Sequence, residues 1–156
     1  MGKTFLSWLV RTDASLGVLI VRVTLGVCML PHGVQKLQNF SGMMEMFTKQ
    51  SGIPAPFAFL VIMGESFGAV GLILGVFGRF CAFGNALIMT GAIAMVHGAN
   101  GFMLMDMAKP DPMKVGYEYN LALLGMSLAV MVAGSGCFSF DRWLTKRLHR
   151  PDAPAA

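Results

Sequence analysis

The chain has 156 residues, 55% hydrophobic and only 13% charged, where soluble chains carry about 25% charge. Mean hydropathy is +0.64 and formal charge +4. These values disfavour a soluble globule, a disordered tail and a disulfide scaffold. With no basic run interleaved with aromatics, the positive charge does not point to nucleic acid. The expected class is an all-α polytopic membrane protein.

Residues 1–14 (MGKTFLSWLVRTDA) read as a short amphipathic lead-in at the membrane interface, where Phe5 and Trp8 are at home. Four apolar blocks follow, at about 16–37, 55–77, 80–98 and 117–138. At 1.5 Å per residue each spans roughly 30 Å, the thickness of the hydrocarbon core. They make a transmembrane domain over 15–138, and 139–156 is left as a basic tail. The short Gly78–Arg79 turn makes the second and third spans an antiparallel hairpin. The loops at 38–54 and 99–116 are longer and carry the breakers SGIPAP and KPDP.

The predicted fold is therefore a four-helix bundle, up-down-up-down. Lys3, Arg11, Arg79, Arg142, Lys146, Arg147 and Arg150 fall on one side and outnumber Lys36, Lys49, Lys109 and Lys114 on the other. The positive-inside rule then makes both termini cytoplasmic. Glycines 68, 71 and 75 in GAVGLILG are expected to let a neighbouring helix approach closely. Cys28, Cys81 and Cys137 form no CxxC and are expected to pack as inert thiols.

Ionisable groups inside hydrocarbon cost about 2.5–3.5 kcal/mol each on insertion scales, so each asks for a reason. They are Arg22, His32 and Lys36 in the first span, Glu65 in the second, His97 in the third, and Glu118 with the uncharged Asn120 in the fourth. Most fall in the extracytoplasmic half. At 100° per residue Arg22, Met29, His32 and Lys36 share one stripe. Arg22 and Glu65 have comparable depth and are expected to pair. Asn120 and Glu118 are two apart and face opposite ways, with Asn120 inward and Glu118 near the helix start, where the dipole favours a carboxylate. The expectation is one polar cavity shared by these side chains.

The intramembrane Arg22, GVQKL at the end of the first span, GESFGAVGLILGVFGR in the second, the late His97 followed by Phe102, and EYNLALLG opening the fourth together resemble the DoxX family. The resemblance runs over about residues 16–136. It implies a four-helix bundle in the cell inner membrane. The family includes a subunit of thiosulfate:quinone oxidoreductase and members linked to thiol redox, so it implies a quinone as cofactor and a redox protein as partner. In that reading His32, Lys36 or His97 hydrogen-bonds a quinone carbonyl and Glu65 relays a proton. No GxGxxG fingerprint occurs, so any electron carrier would be a partner or a bound ligand.

Two alternatives stay open. One is copper handling, because soft thioethers select Cu(I) and Met103, Met105 and Met107 alternate in the outer loop near His32 and His97. The other is a non-catalytic scaffold in a membrane complex or homo-oligomer.

Overall fold

The computed structural model describes residues 8–12, 14–105 and 114–148. The described regular structure is helical: α1 (Leu16–Gln38), α2 (Phe40–Glu45), α3 (Ala55–Leu74), α4 (Gly78–Asn100), α5 (Glu118–Ala133) and α6 (Phe140–Leu148). Helices α1, α3 and α4 are long and apolar enough to cross a membrane, and α5 is a shorter apolar helix. Ser15 caps α1 by accepting a hydrogen bond from the Val18 amide at 3.3 Å. The helix continues through Pro31. Pro54 precedes α3, a position where a missing N–H does no harm.

Among the described residues three wide turns of π-helix interrupt the regular winding, at Met46–Gln50 after α2, Gly64–Gly68 within α3 and Ile93–His97 within α4. Such turns occur frequently at functional sites. The expected loop at 38–54 is thus largely helical. FSGMMEMFTKQ holds no proline, and the first strong breaker is the Ser51–Pro54 stretch.

All four long elements share one core. Leu25 and Met29 of α1, Ala69 and Leu72 of α3, Ala82 and Met89 of α4, and Leu123 and Val130 of α5 meet there. Phe57, Phe67, Phe80, Leu87 and Val132 point outward. Outward apolar side chains cost nothing in lipid, so helix association depends on close backbone approach and interhelical hydrogen bonds.

The close approach comes mainly from α1, not from the GAVGLILG segment. A β-carbon on Gly26 would lie 2.8 Å from the Ala69 carbonyl oxygen. Seven residues on, a β-carbon on Gly33 would overlap the Glu65 carbonyl and the Ser66 backbone. The two contacts run oppositely along α1 and α3, so these helices are antiparallel. Within GAVGLILG, Gly68 faces open space, and Gly71 makes room for the Cys81 thiol of α4. Gly75 ends α3 in the left-handed region at φ +68°.

The fourth helix is shorter than its apolar block. It stops at Ala133, because Gly134 and Gly136 take φ values of +90° and +73°. The chain then turns into α6, which folds back on the bundle. Thr145 Oγ1 donates to the Val10 carbonyl at 2.7 Å. Buried Asp141 accepts from the amides of Phe77 and Gly78 at 2.8 and 2.9 Å, capping the start of α4 from across the chain.

Candidate functional site

The expected Arg22–Glu65 pair does not form. Arg22 is fully buried, and its guanidinium binds backbone oxygens. Nε donates to the Ser135 carbonyl at 2.7 Å, Nη1 to those of Leu72 and of Ile73 (2.7 Å for the latter), and Nη2 to that of Phe138 at 3.3 Å. Leu72 and Ile73 lie in the last turn of α3, where the regular ladder runs out and the dipole is negative, and the Leu72 oxygen also accepts from the Gly75 amide at 3.2 Å. Glu65 is two turns earlier, about 10 Å along the axis. The cation takes the helix-end carbonyls nearest to it.

Sequence reasoning missed this centre's other members. The Ser135 hydroxyl donates to Asp141 Oδ2 at 2.6 Å, so Ser135 links Arg22 to Asp141. Ser139 accepts from the Arg142 amide at 3.2 Å, three residues on. That N-cap spacing, in SFDR, was the available signal for a helix in the basic tail.

At the opposite end Lys36 Nζ forms an ion pair with Glu65 Oε2. Three local features bring them together. Gly33 lets α1 ride directly on the Glu65 backbone. Lys36 lies almost one turn further along the same face. The wide turn Gly64–Gly68 carries Glu65, which is buried, while Ser66 Oγ donates to the Ile62 carbonyl at 2.7 Å. The predicted stripe holds for Arg22 and Met29, both buried, and for Lys36, which is half-buried.

The remaining expected members do not join this pair. His32 is exposed, its ring 6.4 Å from that of Tyr119. His97 Nδ1 lies 2.8 Å from the Val115 carbonyl oxygen, which also accepts from Asn100 Nδ2 at 3.1 Å. Glu118 sits in the first turn of α5, but its carboxylate accepts from the Leu104 amide at 3.1 Å. His97 and Glu118 therefore hold Val115 and Leu104, described residues of the connection between α4 and α5. Asn120 is buried as expected, with Nδ2 3.6 Å from Met89 Sδ. Asn85 donates to Ser127 Oγ at 2.8 Å, tying α4 to α5 deeper in the core. The broad cavity expected from sequence thus contracts to the Lys36–Glu65 pair, because the other polar groups satisfy themselves locally.

No group of three or more His, Cys, Asp or Glu among the described residues could hold a metal ion. Met103 and Met105 are exposed, and Met107 lies outside the described residues. The three cysteines are free thiols of intermediate burial.

The DoxX family model matches residues 17–98, a stretch holding Arg22, Lys36, Glu65 and His97. The chain belongs to the DoxX family. Two relatives extend the likeness beyond that stretch. One, from Bacillus subtilis (strain 168), is named "Putative oxidoreductase CatD" and is 27% identical over 131 residues, covering 84% of this chain and 89% of the relative. Another, from Escherichia coli (strain K12), is named "Inner membrane protein YqjF" and is 25% identical over 136 residues, covering 84% of this chain and 94% of the relative. No solved structure matches the chain.

Proposed function

We propose that this DoxX-family protein is a multi-pass inner-membrane subunit of a redox system that holds a quinone-class molecule against Lys36 and Glu65. The observation that carries the reading is an ion pair inside an apolar helical protein, set on a distorted turn of α3. Removing two charges from water costs several kcal/mol per ion, and intramembrane ionisable groups usually mark ligand or proton pathways. The name of the Bacillus subtilis relative points the same way.

The donor set fits a quinone. Among the described residues Lys36 uses one of its three ammonium hydrogens, on Glu65, and can offer another to a ligand carbonyl. Glu65 can pass a proton to an oxygen held there, within hydrogen-bond reach of Lys36. A bound quinone supplies the electron-accepting group, and a partner protein supplies the electrons. Lys36 orients the carbonyl, Glu65 manages the proton, and the surrounding spans exclude water.

Protein purified in native lipid and extracted for quinone tests this. The wild type should retain quinone, and Lys36→Gln should retain about tenfold less, as expected for loss of one charge-assisted hydrogen bond. Equal quinone in both proteins would sink the reading.

The same proposal makes the Arg22 end cytoplasmic, because Arg11, Arg79, Arg142, Lys146 and Arg147 lie there. In intact cells an impermeant maleimide should label Met103→Cys and leave Lys146→Cys untouched until lysis. The reverse pattern would invert the topology.

A further inference from the structure

A groove of about 390 Å³ opens at the Arg22 end, between the turn after α5 and helix α6. Cys137, Phe138 and Trp143 supply much of its wall, and Arg142 and Lys146 stand on the same wall. Two independent observations give it a chemistry. First, Arg142 Nη1 is buried with no hydrogen-bond partner among the described residues. A buried donor on a charged group is costly to leave unmet. Second, α6 is amphipathic. It carries Arg142, Lys146 and Arg147 together with the exposed Phe140 and Trp143, and Phe138 just before it is exposed too. Arg147 also stacks on the Trp143 ring at 4.6 Å.

Negative charge is scarce at this face. Among the described residues its one carboxylate, Asp141, is 1% exposed and occupied by Phe77, Gly78 and Ser135. A cationic, aromatic-rich helix of this kind lies at the headgroup level of a bilayer.

We propose that this groove binds one anionic phospholipid. Its phosphate meets Arg142, whose Nη1 lacks a partner among the described residues, and Lys146, and the start of an acyl chain lies along Phe138 and the Cys137 side. The fork of Arg142 suits a phosphate, which accepts two parallel N–H bonds. The proposal is independent of what occupies Lys36 and Glu65, and quinone content does not test it.

The test uses the full chain in neutral detergent, where no charged bilayer plane exists to attract basic side chains generally. Native mass spectrometry counts dioleoyl phosphatidylglycerol or dioleoyl phosphatidylcholine bound as each is titrated. The wild type should favour phosphatidylglycerol by about tenfold, and Arg142→Gln should remove that preference. Arg147→Gln, whose charge lies on Trp143, should keep it. Equal binding of the two lipids by the wild type, or equal damage from Arg147→Gln and Arg142→Gln, would overturn the proposal.

A second readout leaves the groove unaltered, in case Arg142→Gln does not fold. In a Cys28→Ala, Cys81→Ala background, phosphatidylglycerol should slow maleimide labelling of Cys137 several-fold more than phosphatidylcholine does. Identical labelling rates would also overturn it.

Discussion

Arg22→Met should destabilise the protein by about 3–5 kcal/mol, or prevent its accumulation altogether. A hydrogen bond from a charged donor contributes about 1.5–3 kcal/mol, and Arg22 makes bonds to four carbonyls from two separate parts of the chain. Methionine keeps the packing volume and takes a donor from each of those oxygens in a low-dielectric interior; among the described residues only that of Leu72 has another, the Gly75 amide. Arg22→Lys should recover only part of the loss, since an ammonium cannot reach several carbonyls with a planar fork. Denaturant titration in mild detergent measures both. A wild-type midpoint for Arg22→Met would show that the carbonyls find other donors.

The second large effect belongs to Lys36. Replacing it with methionine leaves the Glu65 carboxyl, only 6% exposed, without its counter-charge. Breaking a buried pair from one side costs about 3–5 kcal/mol, whereas replacing both partners with apolar side chains is often neutral. Lys36→Met should therefore unfold far more readily than the wild type, and Lys36→Met/Glu65→Met should regain most of the stability. A double-mutant cycle reads the coupling directly. The double variant also separates two roles, because it should fold and yet fail to retain quinone. A double variant as unstable as the single one would mean that Lys36 supports the fold through something other than Glu65.

The helical class and the approximate spans were legible because lipid imposes a simple rule of length and hydropathy on each element. The α1 block was read to within a residue of Leu16–Gln38. The fourth span was over-read, because apolar residues continue past Ala133 while glycines 134 and 136 turn the backbone away. Helical phase placed Arg22, Met29 and Lys36 on one face but misjudged His32, which sits at the edge of that stripe and remains exposed. The Arg22–Glu65 pairing failed for a different reason. Matching opposite charges by depth ignores backbone carbonyls, which are invisible in a list of side chains and abundant wherever a helix ends. Asp141 was hidden for the same reason, since its partners are amides 63 and 64 residues away. The wide turns at Gly64–Gly68 and Ile93–His97 also defeat any reading at a fixed 100° per residue.

The way Arg22 is held constrains the order in which the molecule can be assembled. Its acceptors on Ser135 and Phe138 lie 113 and 116 residues downstream. At about 5–20 residues per second, ribosomes need roughly 6–23 s to reach Ser135 after making Arg22. Through that interval the guanidinium has only its α3 acceptors, the Leu72 and Ile73 carbonyls, and its seat stays half-built. The turn after α5, among the last stretches to leave the ribosome, is thus what completes the anchorage of the first helix, and truncation before residue 135 would leave that anchorage to α3 alone.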